Sequence, residues 1–205
     1  ISNISMNPTY DEIVKANSLR GDEIKKTPLI HSPTFSDLTN SEVYLKAEFT
    51  QKTGSFKIRG AYYKIKSLSE EEKKHGVIAA SAGNHAQGVA FASSLEKIPC
   101  TIVMPKNASP AKVAATRGYG ANVILEGINY DESYSKAKEI AKETGAIIIQ
   151  AFDDPHIIAA QGVVGLEILE DLPDVDEIYL PIGGGGLAAG TVIAIKEKNP
   201  NVKVI

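Results

Sequence analysis

Between residues 76 and 149 the chain alternates short apolar runs with longer mixed ones, a rhythm that few architectures accept. Gly76-Val-Ile-Ala-Ala80, Thr101-Ile-Val-Met104, Ala121-Asn-Val-Ile-Leu125 and Ile147-Ile-Ile149 are too short for buried helices and rich in β-formers. Between them lie Asn84–Leu95, Ser109–Arg117 and Tyr130–Thr144, which carry helical spacing. Ser109-Pro110 offers an N-cap with a first-turn proline, and Gly145 offers a stop. Parallel strands need such crossovers, so this stretch predicts βαβ units and a largely parallel sheet covered on both faces. A second round follows, as helix Ile158–Asp171, strand Glu177-Ile-Tyr-Leu-Pro181, helix Leu187–Lys198 and strand Lys203-Val-Ile205. Ahead of both rounds stand a helix from Tyr10 to Leu19, an extended Thr27-Pro28-Leu29, a strand Val43-Tyr-Leu-Lys-Ala47 and a helix Ser55–Leu68.

The chain stops on Asn201-Val-Lys-Val-Ile205, a strand with nothing after it. Parallel strands normally run on into a loop that often bears site residues, so a piece cut inside a sheet is expected. The 205 residues can bury one large α/β core or two modest ones. A formal charge of -3 leaves no basic excess to favour nucleic acid or an anionic membrane surface. No apolar run approaches the roughly 18 residues of a membrane span, and no basic-then-apolar leader is visible, so the cytoplasm is the expected compartment. Cys100, the single cysteine, lies in an apolar run and reads as core packing. The four histidines lack metal-site spacing, and no metal is expected.

Three short motifs carry the chemistry. Ser55-Phe56-Lys57-Ile58-Arg59-Gly60 places a lysine at a helix threshold, flanked by Gly54 and Gly60, which read as room for a flat cofactor. A free lysine amine, with a pKa near ~10.4, is a poor nucleophile at neutral pH; joined to an aldehyde it becomes an exchangeable group beside a substrate Cα. The plainer alternative is a solvated helix lysine. Arg59 points elsewhere and reads as half of a structural ion pair.

Ser81-Ala82-Gly83-Asn84-His85 follows a short strand and opens a helix, where small residues leave N–H groups free for a carboxylate. Asn84 can donate an amide hydrogen bond to a phenolate-like oxygen, or simply cap the helix. His85 can equally hold a structural hydrogen bond. Gly183, Gly184, Gly185 and Gly186 lie between a strand and a helix, the setting in which a phosphate is cradled. The spacing is neither G-x-G-x-x-G nor a P-loop, which speaks against a dinucleotide or ATP. A reactive amine, a carboxylate nest and a phosphate turn together describe a pyridoxal phosphate enzyme acting on an amino acid.

The same residues lie in three ordered blocks, Lys46 to Ala61, Ser81 to Gly88 and Gly183 to Leu187. In them the chain closely resembles the serine/threonine dehydratase family of fold-type II pyridoxal phosphate enzymes, which includes threonine deaminase, with serine racemase a near relative. The resemblance implies a tryptophan synthase β-like α/β fold of two three-layer α/β/α domains with mostly parallel sheets. Residues 1–50 and 150–205 would form an incomplete large domain, and 51–149 a small inserted one. Lys57 would be catalytic and hold pyridoxal 5'-phosphate, with Phe56 flanking its ring and Asn84 bonding the ring's 3′-oxygen. Gly183 to Gly186, with Leu187, would bind its phosphate. Ser81, Ala82, Gly83, Asn84 and His85 would line the substrate carboxylate site.

The activity implied is an ammonia-lyase that converts L-threonine to 2-oxobutanoate and ammonia and also takes L-serine, in isoleucine biosynthesis. The enzyme would be a homodimer or homotetramer with no nucleic acid or membrane partner. Serine racemase or serine dehydratase is the nearest alternative, and a non-catalytic nucleotide- or pyridoxal-phosphate-binding fragment another. Racemases of this family carry a serine where Ala82 stands, and a methyl group cannot pass a proton. The family's partner for the pyridine nitrogen and its divalent-cation carboxylates would both fall beyond residue 205.

Overall fold

The computed structural model describes residues 7–205. The expected segment 1–50 thus begins with residues 1–6, which lie outside the described residues. Helix α1 (Tyr10–Ser18) opens with a reciprocal cap, in which the Thr9 hydroxyl accepts from the Glu12 N–H and the Glu12 carboxylate from the Thr9 N–H. Strand β1 (Leu29–His31), helix α2 (Pro33–Thr39) and strand β2 (Tyr44–Lys46) follow, and β1 and β2 pair antiparallel with Ile30 opposite Leu45. Helix α2 was not expected, although Ser32 caps it and Pro33 fills its first turn.

Helix α3 (Lys57–Lys66) starts later than the expected Ser55. Thr53 and Gly54 take left-handed φ values of 62° and 76°, and Ser55 is extended, so the chain turns before it can wind. The Ser55 hydroxyl then accepts from the Lys57 N–H at 3.3 Å. Helix α3 ends two residues before the expected Leu68, and beyond it stands a helix that was not expected, α4 (Glu70–His75), with its own reciprocal cap between Ser69 and Glu72. Its acids lie first and its bases last, matched to the helix dipole.

The alternating segment folds as β3 (Val77–Ala80), α5 (Asn84–Leu95), β4 (Cys100–Met104), α6 (Pro110–Gly118), β5 (Asn122–Leu125), α7 (Tyr130–Thr144) and β6 (Ile147–Ile148). Its strands make one parallel sheet in the order β5-β4-β3-β6, with Ala79 beside Ile102 and Ile102 beside Val123. Pro110 opens α6, but the Ser109 side chain makes no capping bond there. Strand periodicity sorts the core. Val77, Ala79, Ile102 and Met104 face α3, α5 and α6, whereas Ile78, Ala80 and Val103 face α7. Ile78 and Ile102 are fully buried, and such side chains contribute about 1.5–3 kcal/mol each.

The chain ends in α8 (Pro155–Asp171), β7 (Glu177–Ile178), α9 (Gly186–Lys198) and β8 (Lys203–Val204), with β7 and β8 parallel. Strand β7 is shorter than expected; beyond it Leu180 donates to the Ile205 carbonyl at 3.1 Å, and Pro181 has no N–H to offer. Helices α8 and α9 touch backbone to backbone, since a Cβ at Gly190 would lie 2.2 Å from the Ile158 carbonyl oxygen. The α/β class with mainly parallel pairing is as expected, and β1–β2 is its antiparallel exception.

Candidate active site

Lys57 is the first residue of α3, and its ammonium donates to the Ala151 carbonyl at 2.7 Å. Its nitrogen lies 5.3 Å from the centre of the Phe56 ring. Burial lowers the Lys57 pKa below its ordinary 10.5. Helix α5 crosses directly above. A Cβ at Gly88 would come within 3.2 Å of the Lys57 carbonyl carbon and the Ile58 nitrogen. Asn84 is one turn before Gly88 on the same helix face, exposed at the entrance of α5. The expected carboxylate nest and the lysine are therefore neighbours.

Within this stretch, Ser81 follows β3, its N–H donates to the Val103 carbonyl, and its hydroxyl accepts from the Gly83 N–H at 3.1 Å. Gly83 precedes the first turn of α5, whose early N–H groups have no partner inside the helix. His85 turns inward instead, buried, with Nε2 2.9 Å from the Ile149 carbonyl oxygen. Burial first, and the nearby Lys57 charge second, push its pKa down to about 4 against the pull of that carbonyl. The ring is thus neutral at pH 7 and donates to Ile149 from Nε2.

The tetraglycine turn enters α9. Gly185 has φ 88° and precedes the first turn, while Gly183 and Gly184 are exposed. Leu187 packs into the cluster around Ile178, Ile195 and Val202 and so anchors the turn to β7 and β8. A Cβ at Gly184 would lie 2.1 Å from Cγ of Phe152, and one at Gly186 3.0 Å from the Phe152 carbonyl oxygen. Phe152 follows Ala151, the acceptor of the Lys57 amine. Consecutive Cα atoms are ~3.8 Å apart, so the amine and the glycine turn meet across a single peptide unit. Motifs more than a hundred residues apart open on one place.

One of the two expectations about small residues needs correction. Gly60 does not open space for a ligand; a Cβ there would lie 2.6 Å from Gln161 Nε2 and 3.0 Å from Ile157 Cγ2, so it lets α3 lie against α8. Gly54 has open space around it, and its left-handed φ supplies the bend before Lys57.

Arg59 is buried and forks between Glu48, at 2.9 and 2.8 Å, and Glu167, at 2.9 and 2.8 Å. Lys46 at 2.7 Å and Arg20 at 2.8 Å complete the ring of cations on Glu167. Burial works against the Arg59 charge, but the two carboxylates outweigh it and raise its pKa. Burial likewise works against the Glu167 carboxylate, and Arg59 and Lys46 reverse it and hold its pKa down. Arg59 is the structural ion pair expected of it; its partners were not foreseen. Glu167, a lone charge inside the apolar run Gly165 to Leu169, was the available signal.

Also unforeseen was Asp154, which caps α8 through the His156 N–H and accepts from Lys64 at 2.8 Å. Burial opposes its charge, and His156 and Lys64 hold its carboxyl far below the usual range. Segment 151–154 is therefore tied to α3 at two points, Lys57 and Lys64. Among the described residues no three His, Cys, Asp or Glu gather as a metal site, and no helix is long and apolar enough to cross a membrane.

Residues 21–205 match the family described as "Pyridoxal-phosphate dependent enzyme". The chain belongs to that family. It is 55% identical over 197 residues to the L-threonine ammonia-lyase of Thermotoga maritima, covering 96% of this chain and 49% of the relative. The structure superposes on maize serine racemase with a TM-score of 0.94 at 36% identity, covering 97% of this chain and 60% of that one. It superposes on threonine deaminase isoform 2 of Solanum lycopersicum with a TM-score of 0.91 at 39% identity, covering 95% and 54%. The chain spans about half the length of the curated relatives it matches. The fold is that of the fold-type II pyridoxal-phosphate enzymes, and the family's cofactor is pyridoxal 5'-phosphate. Its chemistry fits the residues present: an amine of lowered pKa suits an aldehyde, and a four-glycine helix entry, exposed at Gly183 and Gly184, suits a phosphate.

Proposed function

We propose that this chain carries the lysine, carboxylate and phosphate subsites of an L-threonine ammonia-lyase that also accepts L-serine. The observation that supports it most is the meeting of the Lys57 amine and the tetraglycine turn across Ala151–Phe152. Likeness to proteins described as L-threonine ammonia-lyase and L-threonine dehydratase supports the substrate class. In this reading Lys57 holds the cofactor's aldehyde and Phe56 flanks its ring. Asn84 donates to its 3′-oxygen, and Gly183 to Gly186, with Leu187 behind them, receive its phosphate. Bound there, the cofactor supplies an electron sink for a carbanion at the substrate Cα.

The protein's own groups do the rest. The nest from Ser81 to His85, at the positive end of α5, holds the substrate carboxylate through the N–H groups of Ala82, Asn84 and His85, those of Ser81 and Gly83 being already engaged by the Val103 carbonyl and the Ser81 hydroxyl. That fixes the Cα–H bond toward Lys57. Partial burial favours the uncharged amine, the form able to take the Cα proton. The β-hydroxyl leaves as water, and the enamine that results is hydrolysed to 2-oxobutanoate and ammonia, which returns the water. His85, neutral and committed to Ile149, contributes its backbone N–H and the stiffness of the nest rather than a proton.

Racemisation is the weaker reading despite the likeness to a serine racemase, because Ala82 offers no proton donor in the nest. The division into a large domain (1–50 with 150–205) and a small one (51–149) belongs to the same proposal. All strands of the four-stranded sheet lie within 51–149, which supports it. Isoleucine biosynthesis, a cytoplasmic location and a homodimer or homotetramer complete the reading. Borohydride reduction with the cofactor, followed by peptide mapping, tests it: label at Lys57 is expected. Label on Lys52 or Lys64 instead, or none, overturns it, as does a failure to release 2-oxobutanoate from threonine.

A further inference from the structure

Phe152 is an aromatic residue that no motif announced, 40% exposed, between the acceptor of the Lys57 amine and the cap of α8. Its ring fills the volume that any side chain at Gly184 would need, with Cγ, Cδ1 and Cδ2 at 2.1, 2.2 and 2.5 Å from a Cβ built there. Its backbone lies against Gly186, with the carbonyl oxygen at 3.0 Å and Cα at 3.2 Å from the corresponding Cβ. This one residue therefore requires glycine at 184 and leaves a side chain at 186 little room, while Gly185 is favoured by its left-handed φ of 88°. Gly183, by contrast, has nothing within 4 Å.

The segment that carries the ring is held from both sides. Ala151 accepts from Lys57, and Asp154 accepts from Lys64 and caps α8. The ring is thus a wall on a braced strut, and the glycine turn is pressed against it. We propose that Phe152 is a positioning residue for the phosphate turn: it sets the distance between the backbone N–H groups of Gly183–Gly186 and the Lys57 amine. The inference deepens the function proposed above and rests on it. The geometry also predicts a pattern that ordinary glycine flexibility does not, namely that the demand for glycine at 184 disappears when the ring at 152 is removed.

The test is a double-mutant cycle in the full chain, read by equilibrium binding of pyridoxal 5'-phosphate and by thermal unfolding without it. Gly184→Ala alone is expected to weaken cofactor binding about tenfold or more, because the methyl group displaces the ring or the turn. Phe152→Ala alone loosens the turn and weakens binding several-fold. In the Phe152→Ala background, Gly184→Ala should then cost less than about twofold, since the two sites are in contact and couple. Binding of phosphate-free pyridoxal at Lys57 should be unchanged by Phe152→Ala. Equal penalties for Gly184→Ala in both backgrounds overturn the proposal, and so does an equal loss of pyridoxal binding. If Gly184→Ala folds poorly, Gly184→Ser in the Phe152→Ala background is the second variant, and recovery of its melting temperature and phosphate-dependent binding is required. Were the unaltered chain to bind no cofactor, the functional reading would fail, while additive or non-additive melting temperatures would still decide the contact between residues 152 and 184.

Discussion

Lys57 and Arg59 stand two residues apart on one helix, and the protein treats the two cations in opposite ways. They point to different faces of α3, as residues at that spacing do. Lys57 is withdrawn from water and given only a backbone carbonyl, so its pKa falls. Arg59 is buried more deeply but is enclosed by Glu48 and Glu167, so its pKa rises. Burial without a counter-charge loosens a cation's hold on its proton, as the proposed reagent needs; burial with two makes a strut. The strut ties α3 to α8 and to Glu48 just beyond β2, and so fixes the helix on which Lys57 sits.

Removing either cation breaks the comparison in a different observable. Lys57→Ala should lower the rate of keto acid release by about 10²–10⁴-fold, the usual worth of a positioned proton-transfer group, with the fold intact by circular dichroism. It should also abolish covalent cofactor labelling. A substantial residual rate would move the chemistry elsewhere. Glu167→Leu should do the reverse and destabilise the chain by about 3–5 kcal/mol in denaturant titration, because it takes one of the two carboxylates from the buried Arg59 and leaves Lys46 and Arg20 without their carboxylate. If Glu167→Leu lost activity but no stability, Glu167 would belong to the site and not to the strut.

What could be read from residues alone follows the same divide. The alternation of apolar runs gave the parallel sheet because βαβ spacing and strand periodicity are local properties, and the boundaries of α5 and α7 agree to the residue. The motifs around Lys57, Asn84 and Gly183 to Gly186 were visible because each needs special residues at fixed spacing. What was not visible was long-range. Glu167 looks like any helix glutamate until Arg59, Lys46 and Arg20 converge on it from three other segments. Gly60 seemed to make room for a ligand because nothing nearby in sequence says that Gln161 will press on it. The capping boxes of α1 and α4 are local, by contrast, and Ser69 with Glu72 could have announced α4.

A smaller effect separates neutral from charged groups at the nest. His85 titrates near 4 in the folded protein against an ordinary 6.5, so the unfolded chain binds its proton first as pH falls. Its contribution is complete above pH 6.5 and is lost as pH drops from there toward 4, amounting to about 3 kcal/mol at most. His85→Gln, which keeps an N–H for the Ile149 carbonyl, should flatten the melting temperature across that window. The contributions of Asp154 and Glu167, whose pKa values are depressed, should persist in the variant and fade only below the ordinary carboxylate range near ~4. A pH profile unchanged by His85→Gln would mean that another group supplies the acid sensitivity.

The smallest expected effect tests whether the Lys64–Asp154 pair holds the segment that the Lys57 amine touches. Lys64 lies two turns along α3 from Lys57 and ties the same segment, 151–154, through Asp154. The pair is partly buried, with side chains 18% and 13% exposed, and Lys64→Met removes one partner while Asp154 keeps its bonds to the His156 and Ile157 N–H groups. A stability loss of about 1 kcal/mol is expected, since the carboxylate stays hydrogen-bonded. The informative measurement is the rate at which Lys57 reacts with an amine label as pH is varied. If the segment holds its place through Lys64, loosening it lets water reach the amine, the desolvation that lowers the Lys57 pKa weakens, and the labelling profile moves to higher pH. If only stability changes and the profile stays, Ala151 is held by the Lys57 amine alone.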